Sequence, residues 1–159
     1  MHNSIGGYVF GVTDDLVLRR QVCFALYAAS RALTDVYRPI LDEHGLTYPQ
    51  YLVLLVLWER GDDAPTVSEL GARLRLDSGT LSPLLKRLEA AGLVVRTRSA
   101  ADERRVEVGL TAQGRALRER MDEVPRRVAH ATGLTEAELV ALRDTLTRVT
   151  ETIHRQKEQ

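Results

Sequence analysis

The sequence predicts a mostly α-helical domain that carries one small β-hairpin, and three observations predict it. Apolar residues recur at helical spacing over most of the chain. Glycines and Thr-x-x-Glu or Thr-x-x-Gln steps cut that pattern into separate helices. Only one stretch changes to a period of two: "LVVRTR" and "RRVEVGL", with Val106, Val108 and Leu110 alternating, separated by the polar, turn-prone "SAADE". With 159 residues, 44% of them apolar and 28% charged, the chain is long enough for a single domain, 1–159, with a real core.

The elements follow in order. From Asp14 to about Glu43, apolar residues fall at 16, 22, 26, 29, 33, 36, 37 and 40, with Cys23 beside the stripe. This predicts a long helix, bent at Pro39 because proline lacks an N–H, and ended near Gly45. Thr47 and Gln50 have capping-box spacing and Pro49 suits a first turn, so a second helix runs to Gly61 with Trp58 in the core. Thr66 and Glu69 open a short helix in "TVSELGARLRL". Asp77 or Ser78 caps the next, with Pro83 expected in its first turn, Leu81, Leu84, Leu85 and Leu88 on its apolar face and Gly92 at its end. Two short helices joined by so few residues have the spacing of a helix-turn-helix. After the hairpin, Thr111 opens a helix expected to run to about Ala129, and Thr135 with Glu138 caps a last one.

A helix-turn-helix followed by a hairpin is a winged helix, and the charge distribution agrees. The net charge of the chain is zero, yet residues 73–105 hold eight basic and four acidic side chains while the remainder holds fourteen against eighteen. A neutral chain has gathered positive charge on the unit that would meet duplex DNA. Ser78, Thr80 and Ser82 stand where small polar side chains reach base edges. Lys86, Arg87 and Arg98 stand where cations meet phosphates.

Other chemistry is poorly supported. The four histidines are scattered without metal-ligand spacing, no glycine-rich phosphate loop is present, and neither a metal nor a cofactor is expected. The first residues lack a signal-peptide pattern and the longest apolar run, Tyr51 to Trp58, is too short for a bilayer, so a cytoplasmic protein with no membrane partner is expected. Cys23 is the only cysteine, which excludes an internal disulfide.

Cys23 has a bland reading and a sharp one. A lone cysteine on an apolar stripe is most often a small packing residue. The sharp reading is a peroxide sensor. Only a thiolate attacks a peroxide, and phenolic O–H groups stabilise a thiolate because hydrogen bonds to an ionised acceptor are strong. Tyr27 lies at i+4, on the same helical face, and Arg19 and Arg20 one turn before add positive potential. Tyr37 is fourteen residues further on, about 21 Å along a straight helix. It reaches Cys23 only from a second subunit or after a sharp bend.

From Val22 to about Ile153 the chain resembles the MarR family of winged-helix regulators, and within it the one-cysteine class of organic hydroperoxide resistance regulators. The stretches that carry the resemblance are "CFALYAASR", "LTYPQYLVLLVLWE", "LDSGTLSPLLKRLE", "RSAADERRV" and "LTAQG". The resemblance implies a winged helix-turn-helix, about 47–110, within a helical dimerisation scaffold made from about 14–44 and 111–158. It implies a homodimer that binds an inverted-repeat operator as a repressor and releases it when an organic hydroperoxide oxidises Cys23. It also implies that Tyr37 and Tyr48, with Tyr27 nearby, support the thiolate. Arg104 would enter the minor groove, oriented by Asp102. A second class resolves the oxidised sulfur with another cysteine; this chain has none, so a small thiol is the expected partner on oxidation. Two rivals remain: a regulator released by a small aromatic acid, with Cys23 only structural, and a thiol peroxidase. The second lacks a resolving cysteine, and the expectation is that the protein is not an enzyme.

Overall fold

The structure is a computed structural model that describes residues 16–99, 102 and 104–157. The expected helix start at Asp14, the tip residues Ala101 and Glu103, and the expected end at residue 158 lie outside the described residues. The chain divides into two units, 1–35 and 36–159.

The first unit contains a 3-10 turn, Leu18–Arg20, and the start of helix α1, Val22–Asp42. The two are separate because Gln21 is extended (φ −81°, ψ 116°), which corrects the expectation of one helix over this stretch. The apolar side chains Val22, Phe24, Leu26, Tyr27 and Leu33 are all exposed. α1 continues through Pro39, and its last residues, Ile40 and Leu41, are buried in the second unit.

The second unit is organised around leucines. Helix α2, Tyr48–Arg60, starts where Gln50 Oε1 accepts from Thr47 N at 2.8 Å and from Thr47 Oγ1 at 3.0 Å. Helix α3, Val67–Leu74, has a reciprocal capping box: Glu69 Oε2 accepts from Thr66 N at 2.7 Å, and Thr66 Oγ1 accepts from Glu69 N at 3.2 Å. Arg75 then adopts the left-handed conformation (φ 55°, ψ 40°), which turns the chain into helix α4, Ser78–Ala90. Asp77 caps α4 by accepting from Thr80 N at 2.8 Å. Pro83 is therefore the sixth residue of α4 and not in its first turn as expected. There it has no N–H to donate to the Gly79 carbonyl, so the helix forgoes that one bond. Leu81, Leu85 and Leu88 are fully buried with Leu54, Leu57 and Leu70.

Strands β1, Val94–Arg98, and β2, Val106–Leu110, form the antiparallel hairpin, in the register Val94↔Leu110 to Arg98↔Val106. Val94 and Val108 point into the leucine core. The far edge of β2 is used as well: Val108 N donates to Pro65 O at 2.9 Å, and Thr66 bridges Glu107. The segment that leads into α3 is thus stitched to the wing.

Helix α5 spans Ala112–Leu117 and helix α6 spans Val124–Thr132, with a 3-10 turn, Arg118–Met121, before α6. A single helix to about Ala129 was expected. The break has a simple cause: Pro125 cannot donate to the carbonyl of Met121, so the ladder cannot cross this point intact. Helix α7, Glu136–Lys157, opens at the Thr135–Glu138 box, where Glu138 Oε2 accepts from Thr135 N at 2.8 Å. Val140, Leu142, Val149 and Ile153 of α7 are exposed. Among the described residues no helix is long and apolar enough to cross a membrane.

Candidate nucleic-acid interface and cysteine site

The outward face of α4 is set by its core face. Since Leu81, Leu85 and Leu88 point inward, helical periodicity turns Gly79, Ser82, Pro83 and Lys86 outward, and all four are exposed. Ser78 and Thr80 flank that face and are exposed, as is Arg87. Thr80 Oγ1 donates its one proton to Asp77 Oδ2 at 3.1 Å as part of the cap, which leaves its oxygen to act as an acceptor. Sequence reasoning missed Pro83 and Gly79 on this face. Counting turns from a cap at Asp77 places both there.

The wing faces the same side. A cleft of about 580 Å³ lies between the helix-turn-helix and the hairpin, and Ser68, Ser78, Ser82, Arg96, Arg104 and Arg105 are among the residues on its walls. At the tip, Asp102 Oδ1 accepts from Arg104 N at 3.1 Å and from Arg104 Nε at 3.2 Å. Those bonds hold the Asp102 carboxyl below the usual carboxylate range, so it stays ionised and keeps its grip at neutral pH. The Arg104 side chain is otherwise 92% exposed, an aimed but unburied cation. Arg98, at the end of β1, is exposed too. Arg96 and Arg105 were visible in the sequence only as charge; the cleft gives them positions.

The residues of the expected thiol site are distributed over the two units. Cys23 is exposed on α1. Tyr27 is turned toward the next helical turn: its hydroxyl accepts from Arg31 Nη1 at 3.3 Å, and the Arg31 guanidinium carbon lies 5.7 Å from its ring centre. Tyr37 and Tyr48 belong to the second unit, where they stack at 4.7 Å between ring centres. Tyr51 continues the cluster at 5.9 Å from Tyr37, and Trp58 follows at 6.3 Å from Tyr51.

Burial in this cluster favours the neutral phenol. The Tyr37 hydroxyl is pushed up to about 12, first by burial and then by the unfavourable proximity of the Tyr48 and Tyr51 phenolates. Burial pushes Tyr48 up as well. Both therefore remain O–H donors throughout the physiological range. A raised folded-state value means that stability from Tyr37 is fully present below its ordinary value of 10.0 and is lost as pH rises towards about 12. The expected result is an ultraviolet phenolate titration with a late component near pH 12 that Tyr37→Phe removes. A titration that the substitution leaves unchanged would place the late component elsewhere.

Comparison with known proteins decides the family. Residues 35–121 match the family model described as transcriptional regulator SarA/Rot. The organic hydroperoxide resistance transcriptional regulator of Bacillus subtilis is 44% identical over 141 residues, covering 89% of this chain and 95% of that protein. The chain belongs to the MarR-type winged-helix transcription regulators. The HTH-type transcriptional regulator TtmR of Methylorubrum extorquens is 51% identical over 144 residues, or 91% of this chain and 73% of that one. Among solved structures, reduced AbfR bound to DNA is 35% identical with a TM-score of 0.71, covering 86% of this chain and 94% of that chain. These relatives are transcription regulators and not enzymes, which removes the peroxidase rival.

Proposed function

We propose that this regulator is a redox-responsive repressor that binds an inverted-repeat operator as a homodimer while Cys23 is reduced and releases it when an organic hydroperoxide oxidises Cys23. One observation carries the reading: the only cysteine in the chain stands exposed on α1 between the exposed apolar side chains Val22 and Phe24. That is a surface an alkyl hydroperoxide can reach and a second subunit can cover. The likeness to a regulator named for organic hydroperoxide resistance supports it.

The chemistry balances within two steps. The Cys23 thiolate attacks one peroxide oxygen, the O–O bond breaks, and the alkoxide leaves and takes a proton from water, giving Cys23 sulfenic acid and an alcohol. A small thiol then condenses with the sulfenic acid, releasing water and leaving a mixed disulfide. Tyr37 and Tyr48 of the second copy, held as neutral donors, stabilise the attacking thiolate. The exposed apolar residues of α1 and α7 supply the dimer interface, and the two α4 helices enter successive major grooves, with Ser78, Thr80 and Ser82 toward the bases and Lys86, Arg87 and Arg98 toward phosphates.

The half-sites of the operator should then be centred about 10 bp apart, and inserting about half a turn between them should abolish tight binding. A gel-shift on the DNA upstream of its own gene tests this; unchanged affinity after the insertion would exclude the symmetric dimer. Arg104→Ala should weaken binding about tenfold, and most where the flanks are A·T-rich, since a narrow minor groove attracts arginine. Equal loss on G·C-rich flanks would move Arg104 to a plain phosphate contact.

A second reading has an observation of its own. A cleft of about 350 Å³ is lined by Tyr51, Leu55, Trp58 and Met121, with Arg118 among its residues, and suits a small aromatic acid. Titration with salicylate-like acids separates this from peroxide control: release of DNA by the acid and not by peroxide would favour it.

A further inference from the structure

Among the described residues of the wing, Arg104 is anchored at the tip and Arg96, at the root, is held by α4 itself. Ser78, Ser82 and Glu89 fall on one stripe of α4, the side that turns towards the hairpin. Glu89 Oε2 accepts from Arg96 Nε at 3.0 Å and from Nη2 at 2.5 Å, while Glu89 Oε1 accepts from the Arg96 backbone N at 3.3 Å. One carboxylate therefore takes both the guanidinium and the main chain of β1. Each side chain is about one-third exposed, less than the 92% of Arg104. The pairing favours both charged forms, with Glu89 held below the usual carboxylate range and Arg96 raised.

An acidic residue on this face is costly for a protein that binds a polyanion, because it repels phosphates and occupies a cation that could bind them. Phosphate and carboxylate also present the same paired acceptor geometry to a guanidinium, so Glu89 competes directly with DNA for Arg96. Resting on the DNA-binding reading above, we propose that Glu89 is a specificity-determining positioning residue: it fixes the wing against α4 and withholds Arg96 from the DNA backbone. The first effect couples what the recognition helix reads to what Arg104 reads. The second keeps affinity for random DNA low.

The test uses the full chain, reduced, with two duplexes: an inverted repeat selected by the protein from a randomised pool, and a scrambled duplex of equal composition. Glu89→Gln should tighten binding to the scrambled duplex and steepen its salt dependence by about one ion, as the freed guanidinium finds a phosphate. The ratio of selected to scrambled affinity should fall about tenfold. Arg96→Gln should lower that ratio too, with no steeper salt dependence. If both Glu89→Gln and Glu89→Ala keep the ratio within about twofold and leave the salt slope unchanged, the inference is wrong, whatever happens to thermal stability. Failure to select any duplex would instead overturn the DNA-binding reading itself.

Discussion

Gly114→Ala should strongly destabilise this protein. A Cβ at Gly114 would stand 2.0 Å from the Leu93 carbonyl oxygen and 3.0 Å from its carbon, both backbone atoms that cannot swing away. The joint around it is tightly bonded. Gly114 N donates to Thr111 Oγ1 at 3.0 Å, and Thr111 Oγ1 in turn donates to Gly92 O at 2.6 Å. Thr111 N reaches Leu93 O at 3.1 Å, and Trp58 Nε1 donates to Gly114 O at 2.9 Å. To make room, α5 must leave the end of the winged helix and break this set together. The cost should be about 3 kcal/mol or more, a fall in Tm on the order of 10 °C for a chain of this size. Gly109→Ala is the control, since its Cβ would meet only Val95 Cγ1 at 3.8 Å and Ala64 Cβ at 4.0 Å. Thermal melts followed by circular dichroism should show a large shift for the first and a small one for the second. Equal shifts would mean that the joint yields.

The second large effect is on DNA. A mixed disulfide at Cys23 adds bulk to a side chain that stands among apolar residues of α1. If that surface is the dimer core, the added volume cannot be absorbed without moving the helices, because cores are close-packed. The two recognition helices then lose their spacing, and the loss should reach about 3 kcal/mol, on the order of a hundredfold in affinity. Cys23→Ser keeps the size of the side chain but cannot follow this oxidation. It should bind DNA like the reduced protein at every peroxide concentration.

Much of the fold was legible because its boundaries are chemical. The Thr47–Gln50, Thr66–Glu69 and Thr135–Glu138 steps each hydrogen-bond as their spacing predicts. The hairpin showed itself through Val106, Val108 and Leu110, of which the latter two are buried. One misplacement came from the extended Gln21, and two came from prolines. Pro83 sits within α4, which forgoes one backbone bond there, whereas Pro125 interrupts a stretch whose apolar periodicity carries straight on. At the candidate site, the exposed cations and hydroxyls of α4 could be read from the sequence. The Glu89–Arg96 pair could not, since the residues belong to different elements and only the fold joins them. The roles of Cys23, Tyr37 and Tyr48 rested on resemblance, because spacing along one chain carries no information about what a second chain brings.

The most direct test of the central claim is one titration in four arms. Fluorescence anisotropy of a labelled duplex from upstream of its own gene is followed with wild-type protein and with Cys23→Ser, each before and after treatment with an organic hydroperoxide and a small thiol. The account predicts tight binding in three arms and, in oxidised wild type, a loss of about a hundredfold. Release from Cys23→Ser on the same treatment, or undiminished binding by wild type whose Cys23 is shown by mass to carry the adduct, would contradict it.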